Sequence, residues 1–512
     1  MQKLIQITVT PNELQNIKEL EKKISKESKI EAKYLSYRIL KESLDCRKQP
    51  VYHLNVLTSS NNDLPQIKPM PFLNVSNSAP IIVIGAGPCG LMAALRLIQK
   101  GLKPIIIERG KAVEQRKKDI AIISRNGEIN EDSNFCFGEG GAGTFSDGKL
   151  YTRSTKKGNI DEVLQMFVHF GADPNILFSS HAHIGTDKLS RIVKNIRKTI
   201  EDCGGEYIFN TKVVDFIVKD DTIIGVKTNN GEDIMAEKTI LCCGHSARDI
   251  YQLFYDNSWA IEAKPFAIGV RVEHPQELIN ISQYHNNHYS SLLPPATYSL
   301  TYNHNDRGVF SFCMCPGGIV VPSSDREGVM VVNGMSNSNR SGKFANSAVV
   351  VTVKEEDAKE FDCFGALSLM KLQEQAEQMM YYDKQICPAQ RMTDFIDNKT
   401  SQNLALTSYM PQLVSQNMKE RLLPFVYDNL VQGFKSFDRK LRGFITNESN
   451  VIGLESRTSS AVRLPRNNNT LQHIQIKNLY PCGEGAGYAG GITSSAMDGI
   501  NVADKISNEL GV

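Results

Sequence analysis

The sequence predicts an α/β fold in which a parallel-sheet domain is interrupted by an inserted domain and preceded by a small α/β module. Two observations support this prediction. Residues 81–84 (IIVI) are a β-branched run typical of a buried parallel strand, and a glycine-rich turn and an apolar helix follow at once. Residues 51–57 (VYHLNVL) alternate apolar and polar side chains, as a half-buried strand does. The 512 residues suffice for two to four domains, since one domain has about 100–200 residues.

The composition is that of a globular protein without a strong charge. Lys and Arg number 58 against 56 Asp and Glu, so the net charge is +2 and the basic field that drives nucleic-acid binding is absent. The eleven cysteines show no CxxC pair and no zinc-type spacing, which predicts reduced thiols in the cytoplasm and no bound metal. The N-terminal MQKLIQITVT lacks the apolar stretch of a signal peptide. The longest uncharged run, 69–95, is broken by Pro and Gly and predicts no membrane span.

Residues 1–57 form the predicted N-terminal module. Residues 3–9 (KLIQITV) indicate a strand, and Thr10 and Glu13 have the spacing of a helix capping box. A second helix is predicted where Ile30, Leu35, Ile39 and Leu44 recur, and residues 51–57 return as a strand. Residues 1–50 contain eleven Lys and Arg against seven Asp and Glu. A solvated helix face explains this excess, and an RNA-binding or partner-binding surface is the alternative.

The rest of the chain divides at changes of composition. Residues 58–79, rich in Ser, Asn and Pro, predict a linker. We expect the parallel-sheet domain over 80–250 and 470–512 and the inserted domain over 251–469. The inserted domain should have strands near 264–273, 308–315, 318–321 and 329–335 and a helix near 365–382.

The strongest motif is the Gly-x-Gly-x-x-Gly turn at 85–90. It follows the strand 81–84, opens a helix that ends at Gly101, and leads to a second strand, 104–108, which closes on Glu108. Gly85 permits the tight turn, Gly87 lets the backbone approach a pyrophosphate, and Gly90 lets helix and strand pack closely. A carboxylate at 108 accepts hydrogen bonds from the adenosine ribose. The segment predicts a Rossmann-like dinucleotide site that prefers FAD or NAD to NADP.

Two later segments favour FAD over NAD. Residues 207–218, 222–228 and 232–241 predict a strand meander that ends in Cys242-Cys243-Gly244, and FAD proteins of the glutathione-reductase-like fold have a similar meander and turn beside the cofactor. Residues 477–485 (KNLYPCGEG), followed by GYAGGITSSAMDGI, resemble the C-terminal flavin motif of that fold. There an acid holds the ribityl hydroxyls and a helix N-terminus faces the pyrimidine edge. We expect that helix to begin at Thr493 or Ser494.

Longer strings identify a family. FGEGGAGTFSDGKL (137–150), CGHSARD (243–249), KPFAIGVRVEH (264–274), FCMCPGG (312–318) and GLESRTSS (453–460) resemble the uncharacterised FAD-dependent dehydrogenase family of the FAD/NAD(P)-binding, glutathione-reductase-like superfamily. The resemblance covers about residue 80 to the C-terminus, and the N-terminal module is also similar. Cys242-Cys243 and Ala461 depart from the family pattern without removing a charge. The resemblance implies an FAD-dependent oxidoreductase and names no substrate.

These arguments give one set of expected cofactor-binding residues and leave the catalytic residues open. The set is Gly85, Gly87, Pro88, Gly90, Glu108, Arg109, Gly141, Gly143, Thr144, Lys149, Val213, Cys243, Gly244, Gly483, Glu484, Gly491 and Ile492. We expect non-covalent FAD, a small-molecule substrate, and NADH or NADPH as a candidate transient co-substrate. The alternative is an RNA-binding or partner-binding regulatory flavoprotein in which FAD is a sensor or a structural element.

Other candidate residues have two interpretations each. Cys313 and Cys315 are a redox dithiol or small buried side chains of a sheet. His245 is a helix-start residue near FAD or a catalytic base. Arg271, His274 and Arg457 bind an anion or belong to structural ion pairs. His181 and His183 alternate on a strand-like stretch, where metal binding is the less favoured interpretation because no third ligand is near.

Overall fold

The structure is a computed structural model that describes residues 2–65, 69–152, 158–285 and 291–512. The predicted α/β class is confirmed: a five-stranded parallel sheet lies beside a large mixed sheet and a small N-terminal sheet. None of the helices in the described ranges is long and apolar enough to span a membrane.

The N-terminal module is a three-stranded antiparallel sheet of order β1-β3-β2 with two helices. Its elements are β1 (Gln2–Val9), α1 (Pro11–Gln15), α2 (Ile17–Ser28), β2 (Ser36–Asp45) and β3 (Val51–Ser59). The predicted capping box is present, with Thr10 and Glu13 each accepting from the other's backbone amide. The predicted second helix is wrong, because Ala32–Tyr34 form a 3₁₀ turn and Ile39 and Leu44 lie in β2. A bulge between Ile39 and Lys41 keeps these two apolar residues on the face that packs against the core although they are five positions apart, so the two-residue alternation of a regular strand is lost.

The parallel sheet has the order β21-β10-β4-β5-β6 and is built from both ends of the chain. The first elements of this part are β4 (Pro80–Ile84), α3 (Pro88–Gln99), β5 (Lys103–Ile107), α4 (Val113–Asn126), α5 (Ile160–His169), α6 (Thr186–Asp202), β6 (Glu206–Ile208), β7 (Val213–Lys219), β8 (Thr222–Thr228), β9 (Asp233–Met235), β10 (Lys238–Leu241) and α7 (Arg248–Asp256). Only β7, β8 and β9 form the meander. Asn210, with φ of 53°, breaks the predicted strand 207–218, and β10 pairs with β4 in the parallel sheet.

The inserted part is an eight-stranded sheet with the path β13-β14-β16-β12-β19-β17-β18, and β15 pairs with β14. The elements of this part are β12 (Ala267–Pro275), α8 (Gln276–Tyr284), β13 (Thr301–His304), β14 (Arg307–Pro322), β15 (Val332–Met335), β16 (Phe344–Thr352), α9 (Ser368–Met380), β17 (Ile386–Arg391), α10 (Met392–Asp397), β18 (Gln412–Ser415), α11 (Met418–Arg421), α12 (Pro424–Lys440) and β19 (Asn450–Glu455). Three further strands lie outside this sheet: β11 (Glu262–Ala263) pairs with β20 (Val462–Arg463), and β21 (Leu479–Pro481) joins the parallel sheet. The predicted strands 308–315 and 318–321 are one bulged strand, β14, and a 3₁₀ segment, 355–367, precedes α9.

The last helix, α13 (Ile492–Leu510), packs on α3 and covers the parallel sheet next to β4. The two helices share a continuous apolar core with β4 and β10, including Leu91, Ala94, Ala496 and Ile500. The carboxyl ends of β4, β10 and β21 therefore meet at one edge of the sheet, where the glycine-rich turns also lie.

Candidate functional site

The main cleft, with a volume of about 360 Å³, opens between this sheet edge and the inserted sheet. Small-molecule sites have volumes of about 300–1,000 Å³. One wall is built from the turns after β4, β10 and β21, and the facing wall includes Phe312 and Cys313 of β14, Asn333 of β15 and Glu455 of β19. The cleft thus lies at the carboxyl ends of parallel strands, where ligands of open α/β sheets bind.

The turn after β4 brings the start of α3 to the main cleft. Gly85 has φ of 101°, and a Cβ there would lie 2.8 Å from the carbonyl oxygen of Cys242. A Cβ on Gly90 would lie 2.0 Å from the carbonyl oxygen of Gly85, so helix and strand pack as closely as the backbone allows. Gly87 is the N-cap of α3, Pro88 follows at the first helical position, and no side chain caps the helix. The amides of the first turn therefore remain available to an anion in the cleft.

A second helix also begins at the main cleft. Ser495 donates its amide hydrogen to the carbonyl of Gly491 at 3.0 Å, so α13 begins at Ile492, not at Thr493 or Ser494 as expected. The Ser494 hydroxyl donates to the Gly491 carbonyl and accepts from the amide of Gly490, which places Ser494 inside the first turn. No side chain caps α13, and Gly491, Ile492 and Ser495 line the cleft.

Three glycines leave room for a bound group. In the described ranges, a Cβ would meet nothing within 4 Å at Gly231, Gly244, Gly328, Gly443, Gly490, Gly491 and Gly511. Four of these have φ between 75° and 86°, in the left-handed region, which explains them as turn glycines. Gly244, Gly490 and Gly491 lie outside that region, and all three line the main cleft. Neither backbone conformation nor packing requires glycine at these positions. The open space at these positions fits a ligand that approaches the backbone closely, as a dinucleotide would.

Glu108 ties three loops together at one end of the main cleft. One carboxylate oxygen accepts from the amide of Ala86 at 2.9 Å, and the other accepts from the amides of Gly110 and Gly138 at 2.9 and 3.0 Å. Only 5% of Glu108 is exposed. The expected ribose ligand is therefore also an anchor of the glycine turn. Nearby, Arg109 pairs with Asp132 at 2.7 Å and with Asp249 at 3.2 Å.

The structure brings most of the expected cofactor residues to the main cleft. Fourteen of the seventeen line it: Gly85, Gly87, Pro88, Glu108, Arg109, Gly141, Gly143, Lys149, Val213, Cys243, Gly244, Glu484, Gly491 and Ile492. Gly90, Thr144 and Gly483 are packed behind its wall. Thr144 is 1% exposed, and a Cβ on Gly483 would lie 2.9 Å from the sulfur of Cys89. Burial raises the pKa of Glu484 to about 7, although Lys264 opposes this shift.

Arg116 was not expected at this site. It is fully buried and donates hydrogen bonds to the backbone carbonyls of Asn134, Phe135, Gly138, Glu139 and Gly141. Burial lowers the pKa of its guanidinium to about 10. One buried cation thus shapes the loop that carries Gly141, which approaches Gly87 closely: a Cβ on Gly141 would lie 3.1 Å from the Gly87 Cα.

The arginine and histidine candidates are mostly engaged in structural contacts. Arg457 pairs with Asp325 at 2.6 Å and with Glu377 at 3.2 Å. Although burial opposes ionisation, Arg248 and Arg457 lower the pKa of Glu377 to about 2. Burial and the same two arginines lower the pKa of His245, a cleft residue, to about 4. His245 is therefore neutral near pH 7.

The remaining candidates lie in the sheet and its loops. Arg271 pairs with Glu455 at 2.9 Å inside the sheet. His274 bonds to the carbonyl of Phe444 at 2.7 Å, and His183 bonds to the carbonyl of Ser338 at 3.0 Å. Burial lowers the pKa of both histidines.

Three cysteines from distant segments meet behind the glycine turn. The sulfurs of Cys89, Cys242 and Cys482 all lie within 4.8 Å of one another, and those of Cys89 and Cys482 are 3.2 Å apart. All three side chains are buried, and burial raises the pKa of each thiol well above its ordinary value. As the protein stands, they pack as neutral groups.

Three family models match the chain. One described as "FAD binding domain" matches residues 78–125, the glycine turn and its flanking strands. One described as "FAD-dependent protein, C-terminal domain-like" matches residues 265–458, which form most of the inserted sheet. A third, a domain of unknown function, matches residues 1–57, the N-terminal module.

A parallel sheet with its glycine turn at the main cleft, in a segment matched by an FAD-binding domain, defines an FAD-binding protein of the FAD/NAD(P)-binding flavoprotein superfamily. The chain belongs to the same family as an uncharacterized protein of Clostridium beijerinckii. The two are 40% identical over an alignment of length 510, and the alignment covers 95% of each chain.

Solved flavoprotein structures are more distant. A geranylgeranyl bacteriochlorophyll reductase-like protein of Thermoplasma acidophilum is 13% identical, with a TM-score of 0.35 over 85% of this chain and 80% of that one. Glycine oxidase of Bacillus cereus is also 13% identical, with a TM-score of 0.29 over 84% of this chain and 96% of that one. CtdE in complex with FAD and substrate 4 is 12% identical, with a TM-score of 0.33 over 85% of this chain and 82% of the other.

Proposed function

We propose that the protein is an FAD-dependent oxidoreductase of the dehydrogenase type, with a small molecule as substrate and NADH or NADPH as a transient electron donor. Bound FAD would supply a ring that accepts or donates a hydride at N5. One observation supports this proposal most directly: α3 and α13 both begin at the main cleft without a side-chain cap. Two such helix ends suit a cofactor with two electron-rich parts, a diphosphate and a flavin edge.

The residues of the cleft suggest how each part would be held. The amides after Gly87 would bind the diphosphate, and Glu108 would lie at the adenosine ribose. Glu484 would accept from the ribityl hydroxyls, and the start of α13 at Gly491 would face the pyrimidine edge of the flavin. This arrangement is the glutathione-reductase-like one that the sequence resembles. The glycines with open space lie where the backbone would approach the cofactor most closely.

The wall from the inserted sheet would form the substrate side. Phe312 supplies an apolar face, and Asn333 and Glu455 supply polar groups at the ends of β15 and β19. Arg457 is held by Asp325 and Glu377, so its charge is balanced before any substrate arrives. These residues would exclude water and orient the substrate, which is the protein's part in flavin chemistry.

Spectroscopy of the purified protein tests the proposal. We expect a yellow protein with non-covalent FAD, released on denaturation and identified by chromatography, and we expect NADH or NADPH to bleach its absorbance anaerobically. Deuterium at the transferred position of the nicotinamide should slow the bleaching. A protein that takes up no FAD, or that binds only FMN, contradicts the cofactor. An FAD protein that no hydride donor reduces, and that retains RNA only when residues 1–57 are present, supports the regulatory alternative instead.

A further inference from the structure

The sulfurs of Cys313 and Cys315 lie beside the main cleft, and only one of them is open to it. Cys313 is partly exposed and lines the cleft, whereas Cys315 is completely buried. The Cys315 sulfur lies 3.3 Å from the carbonyl oxygen of Cys313. Dithiol centres that react with outside disulfides need this asymmetry, because one thiol attacks and a protected neighbour resolves the mixed disulfide.

The backbone of β14 is distorted at this pair. The register of β14 against β16 shifts between Phe312 and Cys315, and Cys313 has φ of 48°, in the left-handed region that a cysteine rarely adopts. Bulges and such outliers recur next to active sites, where they redirect a side chain. Even a regular strand would place Cα atoms two residues apart at roughly 6.6 Å, within the roughly 4.4–6.8 Å that a disulfide allows. The Cα spacing of the pair is therefore compatible with a bond between the two sulfurs.

The charges around the pair favour a thiolate on Cys313. Lys149 donates a hydrogen bond to the carbonyl of Met314, and Arg271 lies 3.4 Å from the carbonyl of Cys313 and 3.9 Å from the Cys315 sulfur. Arg340 is a third cation near the pair, and it forms an ion pair with Asp147. Two carboxylates also lie near the cysteines: Asp147, which pairs with Lys149 as well, and Glu455, which pairs with Arg271. A hydrogen bond from Cys315, followed by Lys149 and Arg271, lowers the pKa of the Cys313 thiol, while that of Cys315 is raised.

We propose that Cys313 and Cys315 are a redox-active dithiol that passes two electrons between the flavin and a small disulfide substrate; this inference rests in part on the proposed function. The Cys313 thiolate attacks the substrate disulfide, forms a mixed disulfide and releases one thiolate. The Cys315 thiol loses its proton, breaks the mixed disulfide and releases the second thiolate, which leaves a Cys313–Cys315 disulfide. Two electrons and one proton from the reduced flavin then break that bond and restore the thiolate and the thiol.

The first experiment tests the dithiol without FAD. Apoprotein carrying Cys363→Ser, which removes an exposed thiol, is treated with 2-hydroxyethyl disulfide, digested and analysed by mass spectrometry. We expect an internal Cys313–Cys315 disulfide in this parent, a trapped probe on Cys313 when Cys315→Ser is added, and no probe on Cys315 when Cys313→Ser is added. Adding Lys149→Gln to the trapping variant should slow probe attachment roughly tenfold, the effect of one pKa unit. No adduct on Cys313, or no dependence on Lys149, overturns the proposal.

The second experiment tests the exchange with the flavin. Anaerobic reductive titration of FAD-loaded protein, first oxidised with 2-hydroxyethyl disulfide and freed of the reagent, should consume two more electrons per flavin in the Cys363→Ser parent than in the same parent left reduced or in the oxidised Cys313→Ser variant. Equal electron uptake in all three overturns the relay. A protein that forms the internal disulfide but binds no FAD overturns the proposed function instead, so the two failures are distinguishable.

Discussion

The carboxylate of Glu108, at the end of β5, accepts a hydrogen bond from the backbone amide of Ala86, in the glycine turn after β4, at 2.9 Å. The same carboxylate holds the amides of Gly110 and Gly138. The acid at the end of the second strand is thus part of the turn's own scaffold before any cofactor arrives. A mutation of Glu108 therefore removes hydrogen bonds that hold the turn as well as the carboxylate that we propose for the adenosine ribose.

Replacing this acid should therefore damage both folding and FAD binding. In Glu108→Gln an NH₂ group replaces one of the two carboxylate oxygens and cannot accept a hydrogen bond from a backbone amide. The loss of a hydrogen bond to a charged group costs about 1.5–3 kcal/mol. We expect the free energy of unfolding of the apoprotein to fall by that amount in chemical denaturation, and the Kd for FAD to rise. Glu206→Gln, which removes an exposed carboxylate paired with Lys103, should change the stability by less than about 1 kcal/mol. A fully stable Glu108→Gln apoprotein would show that the three amides find other partners.

Adding a side chain at Gly491 should block the cofactor and spare the fold. Its backbone is extended and its Cβ position is open, so Gly491→Val should leave thermal unfolding of the apoprotein nearly unchanged. The branched side chain would occupy cleft space, and we expect FAD affinity to fall at least tenfold, with Gly491→Ala intermediate. Fluorescence titration with FAD measures the series. Wild-type affinity in Gly491→Val would mean that the start of α13 faces away from the ligand.

The start of α13 should also set the flavin reduction potential. Ile492→Pro removes one unpaired amide from the first turn, where proline is tolerated, and adds no charge. A helix terminus contributes about 0.3–2 kcal/mol, and 1.4 kcal/mol corresponds to about 30 mV for two electrons. We expect a potential lower by up to a few tens of millivolts, measured with a reference dye.

The side chain of Ile492 packs against Gly143, so its loss needs its own control. Ile492→Ala keeps the amide and removes that packing. Equal potentials in Ile492→Pro and Ile492→Ala would assign any shift to packing and not to the helix terminus.

Glu484 should make the apoprotein less stable as the pH rises. Burial raises its pKa from 4.5 to about 7, so the folded state holds this proton more tightly than the unfolded state does. The resulting stabilisation is complete below pH 4.5 and is lost as the pH rises through 7. Because Glu484 is partly open to the cleft, we expect a loss of roughly 1–2 kcal/mol.

Chemical denaturation of wild-type and Glu484→Gln apoproteins at pH 4.5 and 8 measures this effect. The stability difference between the two proteins should change with pH in the direction given, because the glutamine does not titrate. A constant difference would mean that Glu484 has an ordinary pKa.

Local patterns predicted the fold of residues 81–108 well. This segment forms β4, α3 and β5 as expected, because a buried strand, a glycine turn and an apolar helix are specified by adjacent residues. The helix predicted from Ile30, Leu35, Ile39 and Leu44 is wrong because a single bulge in β2 changes which side chains share a face. The helix α13 begins earlier than the predicted Thr493 or Ser494 because Ser494 lies inside the first turn and bonds back to Gly491.

The facing wall could not be predicted in the same way. Cys313, Asn333 and Glu455 meet only through the sheet order, in which β14 carries β15 and is separated from β19 by two strands. Cys89, Cys242 and Cys482 converge because β4, β10 and β21 are neighbours, although no local spacing links these cysteines. The spacing of residues in the sequence can show which side chains come together within one helix or strand. It cannot show which distant elements meet, because strand pairing decides that.

The glycine turns at this edge of the sheet come from distant parts of the chain, so they are synthesised at different times. Cys89 and Cys482 touch across 393 positions of the chain, and a ribosome adds about 5–20 residues per second. The turn at residues 85–90 is therefore made roughly 20–80 s before the strand and helix that complete this edge of the sheet. During that interval the edge of β10 that pairs with β21 and the face of α3 that packs on α13 are uncovered. The cofactor that we propose would consequently be bound late, after β21 and α13 have emerged and docked.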